Sequence, residues 1–149
     1  MWLARQLSLR PRARGFHLVT EELVQQLPEL RRVRVGLVQL HLLHTSASLT
    51  LNENCDPDVR HDLAAFLTRL VPENAPYYRH VLEGADDMPA HILASLLGVS
   101  VMLPISEGRL ALGTWQGIWL GEHRQAGGAR RLQVTIQGEP YQASAWPGP

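Results

Sequence analysis

Residues 33–43 read VRVGLVQLHLL, and this stretch decides the fold class. Only two polar side chains besides the entering Arg34 interrupt it, so a strand is the natural element. With a period of two, Val33, Val35 and Leu37 point to one side and Val38, Leu40 and Leu42 to the other. A strand apolar on both faces is expected at the centre of a sheet, covered above and below. His44 ends it on the face of Leu40 and Leu42.

Upstream, Gln6-Leu7-Ser8-Leu9-Arg10 alternates as a first strand. The N-terminal arginines before Glu21 also fit a transit peptide, but the alternation favours the strand. After a turn at Pro11 to Gly15, Phe16 to Val19 is a short second strand. Thr20 then caps a helix through Leu27, with Glu21 and Glu22 placed for its dipole and Pro28 helping to end it.

Downstream, His44 to Cys55 reads as a polar loop. Asp56-Pro57-Asp58 starts a helix, with Asp56 as N-cap and Pro57 at the first helical position. Its expected buried stripe is Val59, Leu63, Phe66, Leu67 and Leu70. After an irregular stretch, Asp86-Asp87 caps another helix that turns Met88, Ile92, Leu93, Leu96 and Leu97 to the core and stops at Gly98. The last third is all strand: Val99 to Ile105, a hairpin turn at Glu107-Gly108, Leu110 to Leu112, Ile118 to Glu122, and the alternation Leu132, Val134, Ile136. This order predicts an α+β domain over 1–140, with a mixed or antiparallel sheet and the helices inserted mid-chain on one face. The tail 141–149, loose from Ser144 onward, lies outside it.

The 149 residues suit one domain. Formal net charge is zero, and no recognition motif appears, so nothing favours nucleic acid as a partner. No apolar run approaches the roughly 18 residues of a membrane span. Cys55 is the only cysteine, which rules out an intrachain disulfide and a four-cysteine zinc site, and suggests a reducing, cytoplasmic setting. All fourteen basic residues are arginine. Schiff-base lysine chemistry and the P-loop are therefore excluded.

Three segments concentrate groups that are costly to bury unpaired. They are His44 to Asn54, His80 to His91, and Gly113 to Arg124. Neutral imidazole is a common zinc ligand, and His44, His80 and His91 are the candidates for a shared divalent metal. Each reads equally as a solvated or satisfied histidine, as do His17, His41 and His61. Only one of Asp86 and Asp87 can cap the helix well, leaving the other for a cation or a proton. Glu53 sits in a polar loop. Glu122 shares a strand face with Ile118 and Leu120, where a carboxylate needs a partner. Ser46 and Ser48 lack a nucleophile elbow, Cys55 reads as a bystander, and Trp115 with Gln116 suits a pocket wall.

The strings HTSASLTLNENCDPDVRHDL (44–63), HVLEGADDMPAHILASLLG (80–98) and LGTWQGIWLGEHR (112–124) closely resemble the YjbQ-like family. The likeness spans roughly residues 2 to 139. It implies an α+β fold, a homotrimer and a pocket at or near subunit contacts. Members are often labelled secondary thiamine-phosphate synthase, a label for a side activity. By position, the family's polar signature falls on His44, Thr45, Ser46, Glu53, Asn54, Asp56, Asp58, His80, Glu83, Asp86, Asp87, His91, Trp115, Gln116 and Glu122.

The first functional expectation is a transferase joining a pyrimidine-methyl diphosphate to a thiazole phosphate and releasing pyrophosphate. Zinc or magnesium would serve it, with Asp86 and Asp87 on the cation and Arg124 on phosphate. Gln116 and Trp115 would hold the pyrimidine, and Thr45, Ser46 and Asn54 line the substrate. The second is a metal-dependent hydrolase or lyase, with metal on His44, His80 and His91 and a proton moved by Glu53 or Glu122. The third is a non-catalytic trimer that binds a small molecule.

Overall fold

The computed structural model describes residues 1–142 and 147–149, so Ser144 and its two successors in the expected tail lie outside the described residues. The chain is α+β. Its strands are β1 (Trp2–Leu9), β2 (Gly15–Leu18), β3 (Val33–Leu42), β4 (Ala47–Glu53), β5 (Ser100–Ser106), β6 (Arg109–Leu110), β7 (Gln116–Glu122) and β8 (Arg130–Pro140). The helices are α1 (Thr20–Gln25), α2 (Pro57–Leu70) and α3 (Asp87–Leu97), with a 3-10 turn at Pro28–Arg32. The strands form two antiparallel sheets, one in the order β1-β8-β3-β5-β6 and one in the order β2-β7-β4.

Three layers result. Leu7, Leu9, Val38, Leu40, Leu42, Leu132, Val134 and Ile136 of the larger sheet pack against Ala47, Leu49, Ile118 and Leu120 of the smaller one. The other side of the smaller sheet presents Phe16 and Trp119 to Leu67 and Val71 of the α2 region and Leu93 of α3. Among the described residues nothing covers the outer face of the larger sheet: Val35 and Leu37 are 44% and 43% exposed.

The expectation for β3 is therefore half met. It is the central strand, but only one face is covered. A bulge flips the phase: Val33 pairs with Pro140 and Val35 already with Glu139, so Arg34 is the extra residue. Val33 thus joins Val38, Leu40 and Leu42 inside, while Val35 and Leu37 face out. The strand buried on both faces is β7, where everything from Gly117 to Glu122 is buried.

Three local corrections have similar causes. Residues 47–53 are a strand, because Ala47 and Leu49 alternate into the core between the sheets while Ser48 is buried on the opposite side. Thr20 does not cap α1; its Oγ1 accepts the Ile118 N–H at 2.8 Å and ties the helix to β7. The α2 stripe is narrower than expected, since Phe66 and Leu70 are exposed, as is Leu96 of α3. Asp56 does cap α2, accepting the Asp58 N–H at 2.9 Å.

Candidate metal centre

Asp87 opens α3 and is 1% exposed. A carboxylate this buried must be paired. Its Oδ1 accepts from Nη1 of Arg124 at 2.7 Å. Its Oδ2 meets Nε2 of His80 at 2.5 Å and Nε2 of His91 at 3.2 Å. His91 lies one helical turn on from Asp87, so α3 itself brings these two together. His80 arrives from the loop before the helix. The ligand atoms of His80, Asp87 and His91 all lie within 4.8 Å of one another.

The residues around this trio orient it. Nδ1 of His91 donates to the Thr45 carbonyl at 2.9 Å, which turns Nε2 toward Asp87. Arg124 gives two further donors to Asp86 Oδ2 (2.8 Å) and the Glu83 carbonyl (2.9 Å). Asp86 also accepts the Gln125 N–H at 3.0 Å, and its side chain makes no cap bond to α3. Neither acid therefore caps the helix. Burial alone would raise the pKa of Asp87, but the His80 hydrogen bond and the charges of His91 and Arg124 hold it below the ordinary carboxylate value. Asp86 is likewise lowered against its own burial by Gln125 and Arg124.

This donor set suits a divalent ion. With His91 Nδ1–H committed to Thr45, an Nε2–H on the Asp87 side would make the ring an imidazolium. His80, Asp87 and His91 would hold such an ion through their facing ligand atoms, in place of protons there.

His44 is placed differently. Its Nε2 accepts the Arg131 N–H at 2.7 Å, so that lone pair is used, and it is not among the three converging residues. Burial, then Arg130 and Arg131, push its pKa down, in keeping with a neutral ring. Thr45 and Ser46 lie close by through their backbones: the Ser46 carbonyl accepts from Arg130 at 3.2 Å.

Glu122 is 1% exposed, and its partner is Arg130, in a two-pronged pair of 2.8 and 2.5 Å. Its Oε2 also accepts the Arg124 N–H at 3.2 Å. Gly127 makes room for the pair, because a Cβ there would lie 2.1 Å from Glu122 Oε1. Beside it, His123 is buried and its Nε2 meets Ser48 Oγ at 2.9 Å. Burial, with Arg14 and Arg130 nearby, lowers the His123 pKa to about 4.

Glu53, Asn54, Trp115 and Gln116 gather elsewhere. In the β4–β7 register Ala47 faces Glu122 and Glu53 faces Gln116. The two ends are thus roughly 20 Å apart at strand rise. At the far end Asn54 Nδ2 donates to the Thr114 and Gln116 carbonyls (3.1 and 3.0 Å), and Gln116 Oε1 accepts the Gly113 N–H at 2.8 Å. The Glu53 carboxylate accepts the Asp56 N–H at 3.2 Å, its carbonyl takes Trp119 Nε1–H at 2.9 Å, and Trp115 is 64% exposed.

The family model described as UPF0047 protein YjbQ-like matches residues 5–139. The chain belongs to the YjbQ-like UPF0047 family. UPF0047 protein YjbQ of Escherichia coli O157:H7 is 59% identical over 139 residues, 93% of this chain and 100% of that protein. A UPF0047 protein of Methanocaldococcus jannaschii is 42% identical, over 78% of this chain and 84% of its own. Among solved structures, a yjbq/upf0047 family protein from Clostridium acetobutylicum superposes with a TM-score of 0.78 at 36% identity, covering 89% of this chain and 99% of that one. A YbjQ-like protein from Sulfolobus solfataricus reaches 0.80 at 24% identity, covering 93% and 99%, a likeness of fold. The YjbQ-like match includes every residue of the His80–Asp87–His91 group and the Glu122–Arg130 pair.

Arg130 and His123 escaped the sequence reading. The signal for Arg130 was available: it is in phase with Leu132, Val134 and Ile136, so it had to point inward and find an acid. For His123, the polar run Glu122-His123-Arg124 gave no hint that the ring turns in.

Proposed function

We propose that this protein is a metal-dependent enzyme acting on a small molecule, of hydrolase or lyase type, with the ion held by His80, Asp87 and His91. The observation that carries this reading is the convergence of both Nε2 atoms on one Asp87 oxygen. Two imidazoles and a carboxylate favour zinc or another transition metal over magnesium, which prefers oxygen ligands. Such an ion lowers the pKa of water and polarises a carbonyl or phosphoryl oxygen. The chain's own contribution is orientation. Arg124 fixes the Asp87 carboxylate through Oδ1, and Thr45 fixes the His91 ring. Glu122, tied to Arg130, supports this end of β7 rather than offering a free base.

Thiamine phosphate formation from the two precursors is the transfer reading of the same centre. It needs a cation and a free guanidinium for the leaving diphosphate. Arg124 is already committed to Asp86, Asp87 and Glu83, so the hydrolytic reading stands first.

The deciding experiment is elemental analysis of tag-free protein purified without added metal or chelator. Near-stoichiometric transition metal is expected, falling to background in His80→Ala and in His91→Ala. Metal content unchanged in both variants would sink the assignment.

We further propose that copies of the chain associate, as a trimer, through the open face of the larger sheet. Val35, Leu37 and Met102 are exposed there, and Trp2 pairs with Gln137, which pairs with Leu37, extending the row. Light scattering should give three times the chain mass, and Leu37→Arg should reduce it; a monomer for the unaltered chain at working concentration would refute this.

A further inference from the structure

A second constellation lies in the cleft between β2 and α2, whose inner end borders Glu122 and His123 at the metal-centre end of the smaller sheet. Its outer part has a volume of about 470 Å³, lined by Arg14, His17, Arg60 and His61 among others. An inner part of about 300 Å³ continues it, and the two share Arg14, Gly15, Phe16, Ala64 and Thr68. The inner walls include Leu67, Leu93 and His123. The cleft is therefore cationic at its mouth and largely apolar within.

The charges at the mouth are only partly balanced from inside the protein. Nη1 of Arg60 is shut off from solvent and has no hydrogen-bond partner. Arg60 forms no ion pair among the described residues. That buried nitrogen is out of an entering ligand's reach, but Arg60 lines the outer part of the cleft, where its unpaired charge is there for an arriving anion to match. Arg14 gives Nη1 to Glu73 at 2.7 Å, and its other nitrogens have no acceptor among the described residues. His61 meets Asp62 at 3.0 Å, and His17 donates Nε2–H to the Ala13 carbonyl at 2.7 Å. Glu122, which borders the inner part, is neutralised by Arg130. Inside, the Phe16 ring is tilted against Trp119 and meets His123 edge-on, so one aromatic face bounds the space.

We propose that this cleft binds a small aromatic phosphate ester, with the phosphate on Arg60 and Arg14 and the ring against Phe16, Leu67 and Leu93. Two guanidiniums suit a dianion better than a carboxylate. An inner space of this volume accepts a single ring system.

The test is calorimetric titration of the full-length protein with phenyl phosphate, alongside inorganic phosphate, benzoate and phenol. Saturable binding of phenyl phosphate is expected, weaker for phosphate and benzoate and weakest for phenol. Arg60→Gln should lower the affinity about tenfold, and Arg60→Lys should recover part of it. His80→Ala should leave it unchanged. In the unaltered protein, the imidazole NMR signals of His17 and His123 should shift on titration. Failure of phenyl phosphate to saturate, full affinity in Arg60→Gln, or binding as tight for benzoate overturns the proposal. So does loss of binding in His80→Ala, which would locate the phosphate at the metal centre and leave the metal reading intact.

Discussion

The β4–β7 ladder has two ends built on different physics. Around Ala47 and Glu122, charged groups are buried and each is matched: Glu122 by Arg130, Asp87 by His80, His91 and Arg124. Around Glu53 and Gln116, polar side chains stay near solvent and hold loop backbone, as Asn54 does with two carbonyls. Buried charge is unforgiving, because a removed partner leaves an ion without water. Exposed amide bonds are forgiving, because water replaces them. Chemistry that must poise an ion belongs at the first end, and the second end reads as a brace.

The largest expected effect on folding therefore comes from the buried pair. Arg130→Ala strands Glu122 and should cost about 3–5 kcal/mol of stability in urea unfolding. Replacing both partners, as in Glu122→Leu with Arg130→Met, should cost much less than the single change. If Arg130→Ala costs less than about 1 kcal/mol, on the scale of an exposed ion pair, the contrast between the ends fails.

That pair also shows where the sequence was readable. Phase alone puts Arg130 and Glu122 inward, and capping chemistry at Asp56-Pro57 starts α2 where expected. The α+β class followed from element order. What misled was coverage. β3 and β7 are both apolar along their length, yet only β7 has a layer on each side, since nothing in β3 itself reveals that α2 and α3 pack on the other sheet. The bulge at Arg34 added a phase change invisible to alternation counting. Residues 47–53 were hidden by their polar neighbours, though Leu49 and Leu51 carry the strand period. Within the site, His91 and Asp87 were legible as one turn of helix. The separation of His44 and of Glu53 from them depends on long-range register, which no local pattern encodes.

A smaller and pH-dependent effect should come from His123. Its folded pKa is depressed to about 4 from an ordinary 6.5, so the native state holds it neutral. The unfolded chain takes up the proton first as pH falls. Stability contributed by the neutral ring is complete above about 6.5 and is lost progressively down to about 4, by roughly 3 kcal/mol in all. The lowered acids Asp86 and Asp87 lose their contribution below the ordinary carboxylate value of 3.8, a more acidic window. His123→Phe, edge-on to Phe16, should make the upper window shallower, leaving the part that the lowered His44 contributes, and should leave the lower one. An unchanged profile between pH 6.5 and 4 would show that His123 is not the group responsible.

The least effect is expected at the brace. Asn54→Ala removes two hydrogen bonds to loop carbonyls that water can reach, and should cost about 1 kcal/mol. Metal content should not change, because roughly 20 Å of strand separates Asn54 from the His80–Asp87–His91 group. Metal loss in Asn54→Ala would mean that the ladder transmits strain from end to end, and the two regions could not be treated as independent. Metal retained with activity lost would carry a different meaning. Trp115 and Gln116 would then meet substrate at the centre of another copy, since they cannot reach their own, and the brace would be part of a site completed by association.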